Sequence, residues 1–260
     1  MKKNCFCLWL MFLLVACGGS KPQTVPDQMP PGSAEYLANE GVRHLNDGRL
    51  DLAEKSLLEA LKKKPQLVSA LHALGLVYVY RRDFDKAINT INRLILVSPK
   101  FYDAYNLLGT IYTEQGKYQQ AKEKLLLAAN AEEYQTPENA FANLAVLEIK
   151  FKKNDAALRY AEKGLFLNRR FAPLYNLKGL ALENMNEFAQ ALENYDKALA
   201  LLDHPDSGYL INSARMAVKL GDKKKALNNL ELAMGSTQDP AQKAEIMKMI
   251  TQLDGGRTRH

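Results

Sequence analysis

The residue with the clearest chemical role near the start of the chain is Cys17, which ends the run Leu14-Val15-Ala16-Cys17. Two aliphatic residues, a small residue and a cysteine form the lipobox pattern of bacterial lipoproteins. In that chemistry the thiol receives a diacylglyceryl group, a peptidase cuts before the cysteine, and the freed amine is acylated. Several acyl chains on one residue suffice for stable membrane anchoring. We therefore predict a covalent lipid on Cys17 and no other cofactor.

The residues before Cys17 have the composition of a signal peptide. Lys2 and Lys3 are followed by about a dozen apolar residues, fewer than the roughly 20 needed to span a bilayer. We predict that residues 1–16 are a cleaved lipoprotein signal peptide. The alternatives are an ordinary secretory signal with an incidental cysteine, or an N-terminal membrane anchor. Because Gly18 and not aspartate follows the cysteine, we expect sorting to the outer membrane, with the protein facing the periplasm.

Beyond Cys17 the sequence shows no group of reactive side chains in a catalytic or metal-binding pattern. The four histidines are scattered along the chain. Neither a phosphate-binding glycine loop, nor an H-E-x-x-H motif, nor a nucleophile elbow is present. Removal of the signal peptide would leave Cys17 as the sole cysteine, which excludes an intramolecular disulfide. We predict a protein that is not an enzyme and has no metal site and no small-molecule substrate.

The charge of the chain is mildly basic, with a formal net charge of +6 to which Lys2 and Lys3 contribute. So small an excess of positive charge predicts neither nucleic-acid binding nor strong attraction to a lipid surface. We expect no cluster of basic residues interleaved with aromatic ones, and no nucleic-acid partner.

The composition between the signal peptide and the rest of the chain is that of a tether. Residues 17–33 are rich in glycine and proline and hold almost no large apolar side chain. Proline-rich segments extend by about 3.1 Å per residue, so this one could reach about 45 Å from the lipid. We expect the folded part to stand off the membrane.

Small residues recur through the rest of the chain with one period of 34 to 36 residues. Apolar residues between them recur at helical spacing, which predicts a series of helix pairs. A small residue marks the first helix of each pair, at Gly41, Gly75, Gly109, Ala145, Gly179 and Ala214. An alanine marks the second helix, at Ala53, Ala87, Ala121, Ala157, Ala191 and Ala226.

This pattern resembles the tetratricopeptide-repeat family. The resemblance implies an all-α fold, a right-handed superhelical solenoid of six helix-pair repeats with a C-terminal capping helix over the last unit. A generic helical bundle is the alternative. The predicted units are 34–67, 68–101, 102–137, 138–171, 172–206 and 207–239, followed by a capping helix over 240–253 and a flexible tail over 254–260.

The first helix of each pair lines the concave groove in proteins of this family. By position in the unit, we assign the partner-binding groove to Val42, Leu45, His72, Leu76, Val79, Tyr80, Asn106, Val146 and Asn176. The first two units present an apolar patch, which fits an amphipathic helix or an extended apolar peptide. The asparagines could hold the backbone amides of that peptide. The alternative is that the tether or the N-terminal helix covers the patch.

A lipobox, a short tether and six such repeats together resemble the type IV pilus biogenesis lipoproteins called PilF, PilW or Tgl. The junction between the third and fourth units adds to this resemblance, with a period lengthened by two residues and Tyr134, Pro137 and Glu138 ahead of Asn143-Leu144. The sixth unit departs from the repeat consensus.

The resemblance implies a pilotin. Such a lipoprotein binds secretin subunits and promotes their outer-membrane localisation and multimer assembly for type IV pilus biogenesis. The alternative is an adaptor of another envelope machine, such as outer-membrane protein insertion, a cell-wall enzyme scaffold or gliding.

Overall fold

The computed structural model describes residues 29–255, which form thirteen α-helices and no strand within that range. The predicted signal peptide, Cys17, most of the predicted tether and residues 256–260 lie outside it. The helices are α1 (Ala34–Asn46), α2 (Leu50–Lys63), α3 (Val68–Tyr80), α4 (Phe84–Val97), α5 (Tyr102–Glu114), α6 (Tyr118–Ala129), α7 (Pro137–Lys150), α8 (Asn154–Leu167), α9 (Ala172–Asn184), α10 (Phe188–Ala200), α11 (Ser207–Lys219), α12 (Lys223–Ser236) and α13 (Pro240–Asp254).

The predicted fold class is confirmed, because α1 to α12 form six consecutive pairs and α13 packs against α12. Ile246 of α13 is fully buried against Leu210 and Leu230 of the sixth unit. Two boundaries differ from the prediction. Asp254, which we assigned to the flexible tail, is the last residue of α13. Pro137, which we assigned to the end of the third unit, is the first residue of α7. A proline fits there because the first turn of a helix needs no backbone N–H donor.

The period of small residues marks the point where the two helices of each pair cross. A Cβ atom on Gly75 would lie 2.3 Å from Cδ1 of Ile91, and one on Gly109 would lie 2.4 Å from Cγ of Leu125. Ile91 and Leu125 are both fully buried, so neither side chain has free space to move into. Glycine therefore sets how closely the paired helices approach, and the buried aliphatic side chains fill the remaining space.

The turn inside each pair contains one residue with a positive φ, at the same place in all six units. These φ angles lie between 56° and 81°. Glycine adopts them at no steric cost, whereas a residue with a long side chain costs about 1–2 kcal/mol there. In the sequence, glycine or asparagine indicates a positive φ at four of these turns, whereas arginine and lysine give no such signal at the other two. The full set is Gly48, Arg82, Gly116, Lys152, Asn186 and Gly221.

Replacing Lys152 with glycine should raise the free energy of unfolding by about 1 kcal/mol, because it removes the steric cost of a positive φ. Urea denaturation followed by circular dichroism measures the change. Lys163→Gly is the matched control, since Lys163 is exposed in the interior of α8, where glycine costs about 1 kcal/mol. That control should lose stability. Equal effects of the two changes would contradict the assignment of strain to Lys152.

No helix in the described range is both long enough and apolar enough to cross a membrane.

Candidate peptide-binding groove

One face of the solenoid is built from the first helices of successive pairs. Helix α1 contacts α3, and α7 contacts both α5 and α9. The residues that we assigned to the groove come from α1, α3, α5, α7 and α9. The fold therefore brings the helices that carry them side by side, and the exposure and contacts of each side chain decide what that face can bind.

The N-terminal part of this face is apolar. Val42, Leu45 and Leu76 are half-buried and pack against the core of the first three units. Tyr80, at the end of α3, is 47% exposed, whereas Val79 is 9% exposed and belongs mainly to the core. Val42, Leu45, Leu76 and Tyr80 therefore offer apolar surface here, whereas Val79 packs in the core beneath them.

His72 adjoins an open cleft of about 700 Å³ lined by residues of the first two units. Its ring packs edge-on against Phe101, with ring centroids 5.0 Å apart. Burial lowers the pKa of His72, and the nearby Asp103 carboxylate opposes this shift only in part. The imidazole is therefore neutral at physiological pH and extends the apolar surface. The cleft is lined by Lys64, Gln66, Leu67, Val68, Ser69, His72 and Phe101.

The groove face becomes polar in the third and fourth units. Asn106 accepts a hydrogen bond of 2.9 Å from the side-chain amide of Asn143, which also lies 3.4 Å from the hydroxyl of Thr110. The amide N–H groups of Asn106 have no acceptor among the described residues, so they can donate to a ligand. Val146, one turn along α7, is half-buried and packs on the apolar cluster of the fourth and fifth units.

Asn176 has a structural role in addition to its place on this face. It is 9% exposed and accepts a hydrogen bond of 3.1 Å from Asn212 of the sixth unit. Arg215 donates to Asn212 and to Glu183, which also accepts from the buried hydroxyl of Tyr195. Burial, reinforced by the Glu183 carboxylate, raises the pKa of Tyr195, so the phenol stays protonated. This network joins the fifth and sixth units.

Sequence reasoning missed Asn143 and Asn212, the partners of the two groove asparagines. Both occupy the same place in their units, two positions before the small residues Ala145 and Ala214. The repeat period could have shown that an asparagine recurs there. Whether the whole face binds a partner remains a prediction. Within residues 29–255 no three side chains of His, Cys, Asp or Glu come close enough to hold a metal ion.

Comparison with known proteins identifies the repeats. A family model described as tetratricopeptide repeat matches residues 72–140, and a second with the same description matches residues 172–201. Over 70% of its own length, this chain is 27% identical to anaphase-promoting complex subunit 3 of Schizosaccharomyces pombe. It is 26% identical to type IV pilus assembly protein PilF of Pseudomonas aeruginosa over 60% of its length.

These matches span 27% of the length of the yeast protein and 62% of that of PilF. The solved structure of P. aeruginosa PilF superposes with a TM-score of 0.68 at 22% identity, over 83% of this chain and 97% of that one. That of PilW, a type IV pilus biogenesis factor, gives 0.71 at 16% identity, over 82% and 98%. The chain thus contains tetratricopeptide repeats over residues 72–140 and 172–201, shares the fold of PilF and PilW, and has modest sequence similarity to PilF.

Proposed function

We propose that this protein is a pilotin of the type IV pilus system, a lipid-anchored factor that binds secretin subunits. The observation that carries the proposal is the similarity to PilF over 60% of the chain. The solenoid also matches almost the whole length of the solved PilF and PilW chains in fold. The lipobox at Cys17 agrees with this proposal, since a pilotin acts at the outer membrane.

The proposed mechanism is physical and involves no reaction. The acyl chains on Cys17 hold the protein at the inner leaflet of the outer membrane. The apolar part of the groove, around Val42, Leu76 and Tyr80, binds a segment of the secretin. Because both then sit at one membrane, the effective concentration of secretin subunits rises where they must insert and oligomerise.

The test measures secretin assembly in the bacterium that makes this protein. Deleting the gene should abolish the detergent-resistant secretin multimer in the outer membrane fraction. Complementation with the Cys17→Ala chain should restore no more than a small part of it, while the chain is still made. Normal multimers in the deletion strain would overturn the proposal. Full restoration by Cys17→Ala would overturn the anchoring step alone.

A second candidate is an adaptor in a different envelope machine. The match to the anaphase-promoting complex subunit covers more of the chain than the match to PilF does. The same repeats therefore occur in proteins of other assemblies. Recovery of a partner other than secretin from solubilised outer membranes, with secretin multimers unaffected by the deletion, would favour this candidate.

A further inference from the structure

The turns inside the six helix pairs all lie along one edge of the solenoid, because the two helices of each pair are antiparallel. The cations at the turns of the first two units have acidic partners. Arg82 pairs with Glu114 at 3.0 Å, and Lys86 pairs with Asp83 at 2.9 Å. The turns of the third and fourth units differ from this pattern.

Four lysines at those two turns make no ion pair within the described residues. They are Lys117, Lys150, Lys152 and Lys153, and three of them lie over aromatic rings. The ammonium of Lys150 is 5.0 Å from the ring centroid of Tyr118. Those of Lys117 and Lys153 are 5.9 Å from the rings of Tyr112 and Phe151.

We call this surface the basic edge patch, and its aromatic part bridges two units. The rings of Tyr118 and Phe151 meet edge to face, with centroids 4.7 Å apart. Phe151 is 44% exposed between two exposed lysines. The expectation that the chain holds no basic cluster interleaved with aromatic residues is therefore wrong. The contiguous stretch Lys150-Phe151-Lys152-Lys153 supplies most of the cluster.

The acidic residues near the patch leave its charge uncompensated. Glu148 pairs with Lys122 at 2.6 Å, and Glu114 pairs with Arg82. Asp155 is exposed and lies in the first turn of α8, where it complements the helix dipole. Lys152 holds its charge at a φ of 56°, a place that glycine or asparagine occupies in four of the other units and the ion-paired Arg82 occupies in the second. Strain that persists in a folded protein points to a function for that residue.

We propose that the basic edge patch is a membrane-facing surface that binds anionic phospholipid headgroups. The lysines supply charge complementarity, and Phe151 supplies an apolar side chain that can enter the interface. This orientation goes beyond the proposed function and replaces the expectation that the folded part stands off the membrane. A tether from Cys17 with a reach of about 45 Å permits it.

The same edge continues past the patch with similar chemistry. Lys219, also without an ion pair among residues 29–255, lies 5.7 Å from the ring of Phe188. Met185 and Leu220 are exposed in the turns of the fifth and sixth units. Exposed apolar side chains beside unpaired lysines, as at Phe151 and Leu220, are the pattern of a surface that rests on a bilayer.

The test uses the chain from residue 18 onward, made without lipid, and vesicles of phosphatidylcholine with or without roughly a third of phosphatidylglycerol. We expect binding to the anionic vesicles that weakens with salt. Each lysine near an anionic surface raises the partition coefficient about fivefold, so Lys152→Gln with Lys153→Gln should lower it about 25-fold. Phe151→Ser should lower it further without changing the salt dependence.

Lys62→Gln with Lys63→Gln is the matched control. It removes the same charge from an adjacent, exposed pair at the opposite end of a second helix. It should change the partition coefficient by less than about threefold. Equal losses in both double variants, or no preference for anionic vesicles, would overturn the proposal. Binding of an acidic polyglutamate peptide but not of the vesicles would also overturn it, in favour of a protein partner. None of these outcomes depends on secretin.

Discussion

Gly179→Ala should lower the free energy of unfolding by about 1–3 kcal/mol. A Cβ atom at this position would lie 2.7 Å from two ring carbons of Tyr195 and 3.1 Å from a third. The ring cannot move aside easily, because Tyr195 is fully buried and its hydroxyl donates to Glu183 at 2.8 Å. Urea denaturation followed by circular dichroism gives the change in the unfolding midpoint.

The control is the same substitution at Gly235. This glycine also lies in a helix, α12, but a Cβ atom there would meet no atom within 4 Å. Alanine has the higher helix propensity, so Gly235→Ala should leave stability unchanged or raise it by up to about 1 kcal/mol. If Gly179→Ala proved as stable as the control, the small residues would not be setting the distance between paired helices.

The period of small residues predicted the fold because each crossing of two paired helices requires a small residue. A residue such as Gly109 must be small wherever two helices cross, so the number and length of the units appear directly in the sequence. Turn geometry was predicted less well. Gly48 and Gly221 indicate a positive φ, but Arg82 and Lys152 adopt it with side chains that usually avoid it.

The candidate site was predicted by position but not by contact. Periodicity assigns Asn106 and Asn176 to one face of the solenoid. It does not say that each accepts a hydrogen bond from an asparagine in the next unit, which depends on how the units pack. The sequence analysis missed the basic edge patch because the net charge of the chain counts paired and unpaired lysines alike. Lys150 and Lys153 combine the lack of an ion pair with an aromatic ring beside the ammonium, and only the structure shows that combination.

Replacing Val42 and Leu76 with glutamate should weaken binding to the secretin by about 100-fold or more. Both side chains are half-buried on the groove face, and a bound apolar segment would bury the new carboxylates without partners. Purified secretin, or a pull-down from solubilised outer membranes, gives the affinity. Circular dichroism must show unchanged helical content.

The matched control carries Leu58→Glu and Leu96→Glu, on the second helices of the same two units. Leu58 is 40% exposed and Leu96 is 82% exposed, on helices that do not form the groove face. Because Leu76 also supports the core, Tyr80→Glu provides a variant that should fold normally, and it should weaken binding in the same direction. If binding survives in both groove variants but fails in the Leu58 and Leu96 control, the second helices form the partner-binding surface instead.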